Sequence, residues 1–96
     1  MKHMNIVRFK VKPECIDDYI RALQAQPKWP GQIETRTIRY GENGFCGYGL
    51  WESKEAMVAQ MENLVGWLDS VRPLLEELSP ELGVTDPVSG SVIHEG

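Results

Sequence analysis

Few side chains in this sequence can move a proton near neutral pH. The two histidines, His3 and His94, fall near the ends of the chain. An imidazole there suits general-base work, and each reads equally as a solvated terminal residue. The two cysteines, Cys15 and Cys46, lack the paired spacing of a zinc site or a dithiol. Asp17-Asp18 and Glu76-Glu77 have the pattern of solvated helix faces. No phosphate loop or nucleophile motif is present, so the catalytic residues are unassigned and no metal site is expected.

The more informative groups are uncharged. In GFCGYGLWESKEAM, Gly44 to Met57, residues alternating across a strand place Phe45, Gly47, Gly49 and Trp51 on one face and Cys46, Tyr48 and Leu50 on the other. Two missing side chains between two large rings leave a hollow, which either opens a ligand cleft or seats another element. Gln60 sets an amide beside Met57 and Met61, and a buried amide needs partners that a ligand oxygen can supply. Trp67 follows Gly66 and reads as core or as a cleft wall. With Asn5 and His94 as further polar groups, the candidate cleft comprises Asn5, Gly47, Gly49, Trp51, Gln60, Trp67 and His94.

These groups need a scaffold, and the pattern supplies one. HMNIVRFKV, His3 to Val11, is rich in β-branched and aromatic residues and reads as a strand. Pro13 and Glu14 open a helix over residues 13–26, with Ile16, Tyr19, Ile20 and Leu23 at helical spacing. Gln32 to Tyr40 is a second strand, joined through GENG by a short hairpin to the strand that begins at Gly44. Ser53 caps a helical stretch whose stripe runs Met57, Met61, Leu64, Leu68, Val71, Leu75 and Leu78. Asn63, Gly66 and Pro73 predict that this stretch is kinked or split. Val88 to Glu95 closes the chain as a strand. The order βαββαβ is an α+β, ferredoxin-like arrangement: a four-stranded antiparallel sheet with helices on one face.

Apolar residues on both alternating sets, Ile6, Ile38, Tyr40 and Ile93 beside Val7, Phe9 and Val92, predict a homodimer packed through the sheet face that the helices leave open. The length of 96 residues, 42% of them hydrophobic, suits a single domain over 1–96. A net charge of −4 without a basic stripe argues against nucleic acid. The lack of a long apolar run or signal-type N-terminus predicts a cytoplasmic protein without a membrane segment.

VRFKVKPECIDDYIRAL resembles the opening of the dimeric α/β-barrel superfamily, and GLWESKEAM resembles its third strand leading into the second helix. The likeness is nearest to the branch of antibiotic-biosynthesis and haem-degrading monooxygenases. It implies a dimeric α/β barrel with a cleft for a small apolar or aromatic molecule between sheet and helices in each subunit. It further implies either a cofactor-independent monooxygenase or a non-catalytic small-molecule-binding dimer. Many members of that branch carry histidine or tryptophan where this chain has Gln60. The haem-degrading members use an asparagine, a tryptophan and an axial histidine at places that hold Val7, Gln60 and Ser70 here. With no imidazole at Ser70, haem and other cofactors are not expected.

Overall fold

The computed structural model describes residues 1–96. Strand β1 spans His3–Lys10, and a 3-10 turn at Pro13–Cys15 leads into helix α1, Ile16–Gln24. Strands β2, Gln32–Tyr40, and β3, Gly44–Trp51, form a hairpin. Helices α2, Lys54–Ala59, and α3, Met61–Val71, follow, and β4, Asp86–Ser91, closes the sheet. The spatial order is β2-β3-β1-β4, with every neighbouring pair antiparallel.

Local chemistry accounts for most of the boundaries. Pro13 lacks an amide hydrogen and occupies the first turn, where none is needed. Asp17 and Asp18 stand at the positive end of α1 and Arg21 at its negative end. Ser53 caps α2, its Oγ accepting the Ala56 N–H at 3.0 Å.

The helical stretch is interrupted at Gln60, which ends α2 and begins α3 with φ −101° and ψ 4°. It is not interrupted at Asn63 or Gly66, where sequence pointed. Gly66 lies in open space inside α3, so its cost of about 1 kcal/mol relative to alanine is one that a packed apolar stripe absorbs. Pro73 acts as expected, falling in the 3-10 turn Arg72–Leu74 that stops α3.

Two strand ends differ from expectation. Strand β1 stops at Lys10, after which Val11 makes an isolated bridge to Leu75. The closing strand covers Asp86–Ser91, not Val88–Glu95, because its length is set by β1. Ser91 pairs with His3, the Val92 N–H reaches the Lys2 carbonyl at 2.9 Å, and beyond that β1 offers no backbone partner. Ile93 is consequently 92% exposed and belongs to no sheet face.

Register fixes which side chains share a face. Asn5 pairs with Gly49, Val7 with Gly47 and Phe9 with Phe45, so these residues point together towards the helices, as do His3 and Trp51. The core gathers there from Phe9, Val11, Tyr19, Phe45, Val71 and Leu75. The Phe9 and Phe45 rings stack at 5.8 Å, and Tyr19 meets them at 5.3 and 5.4 Å. Aromatic pairs of this kind contribute about 0.5–1.5 kcal/mol beyond their buried area.

The opposite face has no helix. It carries Ile6, Cys46, Tyr48, Leu50, Ile38, Tyr40 and Val88, of which Ile38 is 60% and Val88 62% exposed. Ion pairs border this apolar area: Arg8 to Asp86 at 3.0 Å on one side and Arg36 to Glu34 at 3.5 Å on the other.

Candidate ligand cavity

The inward half of the sheet is only partly filled by the core. Beside Phe9 the apolar packing stops, and a cavity of about 510 Å³ opens between the β1–β4 side of the sheet and α3. Asn5, Val7 and Phe9 from β1 and Pro87 and Ser89 from β4 form its floor. Met57, Met61, Leu64, Trp67, Leu68 and Val71 form its roof, so the stripe read from the sequence as a core face is also the lid of a space. Tyr19 approaches from α1 and Gln26 from the segment just after it. The Trp67 ring is held edge-on to Tyr19 at 6.3 Å, which gives the wall a fixed shape.

No carboxylate, lysine, arginine or histidine lines this space. Its polar groups are the Asn5 and Gln26 amides, the Thr85 and Ser89 hydroxyls and the Tyr19 phenol. Burial pushes the Tyr19 phenol well above its ordinary pKa, so it stays protonated at physiological pH. The cavity is therefore apolar, uncharged and able to hydrogen-bond, without a side chain that ionises readily near neutrality.

Of the residues singled out from sequence, Asn5 and Trp67 lie in this lining. Gly47, Gly49, Trp51, Gln60 and His94 do not. The hollow at the glycines is real but occupied. A Cβ on Gly49 would sit 2.6 Å from Gln32 Nε2, 2.7 Å from Asn5 Oδ1 and 3.1 Å from Trp51 Nε1, and one on Gly47 would sit 3.1 Å from Thr37 Oγ1. The glycines make room for side chains of the neighbouring strands rather than opening into the cavity. Trp51 is wholly buried and reaches the cavity indirectly, donating its indole N–H to Asn5 Oδ1 at 2.7 Å.

Gln60 is turned to its own helix junction, where its Oε1 accepts from Asn63 Nδ2 at 3.0 Å. His94 is exposed beyond the end of β4. His3, in contrast, is only 6% exposed, and both its ring nitrogens are buried without a hydrogen-bond partner. Its place on the central strand, between Trp51 of β3 and Ser91 of β4, buries it despite its nearness to the chain end. Membership of the alternating set His3, Asn5, Val7 and Phe9 was the available signal. For Tyr19 the signal was its place in the apolar stripe of the first helix; for Gln26, Thr85 and Ser89 there was none, since their convergence depends on how the elements pack.

No group of histidine, cysteine, aspartate and glutamate residues stands close enough to hold a metal ion. No helix is long and apolar enough to cross a membrane.

No family model matches the sequence, and no curated protein matches it. Solved structures match its fold over nearly the whole chain. SnoaB, a cofactor-independent oxygenase from Streptomyces nogalater, aligns with a TM-score of 0.70 at 13% identity, covering 98% of this chain and 95% of SnoaB. Rv0793 from Mycobacterium tuberculosis aligns with a TM-score of 0.78 at 14% identity, covering 99% and 98%. A candidate antibiotic biosynthesis monooxygenase from Chloroflexus aurantiacus gives 0.76 at 14% identity, covering 100% and 97%. The chain thus has the ferredoxin-like fold shared by these antibiotic-biosynthesis-monooxygenase-like structures.

Proposed function

We propose that this protein binds a small, uncharged apolar or aromatic molecule in the cavity between β1, β4 and α3, and that it works as a homodimer joined through the open sheet face. The observation that carries the reading is the cavity itself. A space of about 510 Å³ roofed by apolar side chains, with a few polar groups on its floor, has the size and composition of a small-molecule site. Support for the dimer comes from the other face: Ile38, Tyr40 and Val88 stay exposed on the open side of the sheet, and a second sheet packed at about 10 Å would cover them.

The likeness to SnoaB extends the reading to cofactor-independent oxygenation. In that chemistry the substrate gives up a proton and its carbanion passes electrons to oxygen. For a methylene the balance is R₂CH₂ + O₂ → R₂C=O + H₂O, with one oxygen atom retained and the other leaving as water. An apolar cavity that excludes competing water suits it. The lining supplies hydrogen bonds but no readily ionised base, so the substrate must be acidic enough to ionise with hydrogen-bond support alone. The same lack favours a second reading, a dimer that binds or shields its ligand without converting it.

Native mass spectrometry of the purified protein, followed by oxygen-uptake measurements with the molecule it retains, separates these readings. Retention of an aromatic molecule that consumes oxygen only when protein is present supports the oxygenase. Retention without turnover supports the binder. A retained polyanion would contradict both, because no cation lines the cavity.

A further inference from the structure

We infer that Trp51 and Asn5 together give the cavity a fixed hydrogen-bonding sign, so that it selects ligands bearing an oxygen acceptor, such as a carbonyl, over ligands of the same shape bearing only a donor. The inference rests on the binding reading above and adds to it the chemistry of the ligand's polar end.

An asparagine amide usually offers both signs. Its oxygen accepts, its nitrogen donates, and a half-turn exchanges them. Here the half-turn is blocked. The indole N–H of Trp51 can only donate, so it requires the Asn5 oxygen, which accepts it at 2.7 Å. Trp51 is wholly buried, and turning Asn5 over would leave that indole hydrogen facing the amide's own hydrogens, with no water to take it.

What remains of Asn5 for the cavity is Nδ2 with its two hydrogens. That nitrogen makes no hydrogen bond within the chain and is not sealed from its surroundings, and Asn5 is a lining residue of the cavity, so Nδ2 is the Asn5 group free for a ligand there. The other polar groups there do not carry an opposing preference. Ser89 stands directly across from Asn5 on β4, and its hydroxyl, like those of Thr85 and Tyr19, rotates to donate or accept, while the Gln26 amide has both signs. Trp51, buried behind the floor and not itself part of the lining, thereby acts as a positioning residue for specificity.

Three bicyclic probes of nearly equal size test this by titration calorimetry. These are 1-indanone with a carbonyl acceptor, indole with only an N–H donor, and indane with neither. The wild-type protein should bind 1-indanone at least about fivefold tighter than indole or indane, the factor expected of one net neutral hydrogen bond. Asn5→Leu should bring the three affinities together. Trp51→Phe should free the amide to turn, raising indole towards 1-indanone while both stay above indane. The wild-type comparison needs no variant and decides the matter if either fails to fold. Indole binding as well as 1-indanone would overturn the inference while leaving the cavity a ligand site. Failure of all three to bind saturably would contradict the binding reading and this inference with it.

Discussion

Placing one methyl group on Gly49 should do disproportionate damage, because the space is already used. The new Cβ would come within 2.6 Å of Gln32 Nε2 and 2.7 Å of Asn5 Oδ1, distances that real carbon atoms do not tolerate. Gln32 is the end of a flexible side chain and can swing away. Asn5 cannot do so without giving up the Trp51 N–H, whose donor would then be buried and unsatisfied at a cost of about 1–3 kcal/mol. Replacing a strand glycine by alanine returns about 0.4–1 kcal/mol through the unfolded chain, whereas overpacking costs about 1–3 kcal/mol. The net for Gly49→Ala is a loss of about 2 kcal/mol, a fall in Tm of about 8–16 °C for a domain of this size. Gly47→Ala is the internal comparison, since its neighbour Thr37 Oγ1 at 3.1 Å needs to yield only slightly; its change should stay within about 1 kcal/mol. Thermal melts by circular dichroism measure both. In an Asn5→Ala background the Gly49→Ala penalty should shrink by at least about 0.5 kcal/mol, because the obstacle is gone. A Gly49→Ala melt indistinguishable from wild type, or a penalty unchanged by removing Asn5, would refute the account of what fills the gap.

Ile38→Lys, a charge placed on the exposed sheet face, should leave the far-UV spectrum unchanged and convert a dimer to a monomer in sedimentation velocity; a wild-type monomer at micromolar concentration would dispose of the dimer. Tyr19 gives a pH dependence of known sign. Its folded pKa lies above the ordinary 10.0, so the unfolded chain releases that proton first. Its contribution is therefore fully present below about pH 10 and declines above it by about 1.4 kcal/mol per pH unit, until the folded phenol itself ionises. Urea unfolding at about pH 9 and about pH 11 should show this slope, and Tyr19→Phe should reduce it; an equal slope in the variant would place its origin elsewhere.

What could be read from the sequence follows the range of the interactions concerned. The shared face of Phe45, Gly47, Gly49 and Trp51 was legible because strand periodicity is local, and so was the Ser53 cap, which needs only the next turn. The filling of the glycine gap was not, because Asn5 and Gln32 reach it from two other strands and only register brings them there. Trp51 reads as a cleft wall from its position, yet its burial makes it a donor to Asn5. The second helical stretch was expected to split or kink from Asn63, Gly66 and Pro73; it ends at the Pro73 turn as read but breaks at Gln60, while α3 runs through Asn63 and Gly66. The extent of β4 depended on where β1 begins, which its own residues do not encode. Asn5 and Trp67 were picked out from sequence and line the cavity; its remaining polar members come from α1, the segment after it, β4 and the segment leading into β4, and share no local motif.

Titration with naphthalene, read by calorimetry on the wild-type protein and on Leu64→Trp, decides whether the cavity takes a ligand. Leu64 lies in the roof of the cavity, and an indole in its place occupies the space without altering the sheet. The wild type should saturate at one naphthalene per chain, and Leu64→Trp should lose at least about tenfold in affinity, the equivalent of 1.4 kcal/mol, while keeping a wild-type far-UV spectrum. No saturable binding to the wild type, or undiminished binding to a folded Leu64→Trp, would contradict the assignment of this cavity as the ligand site.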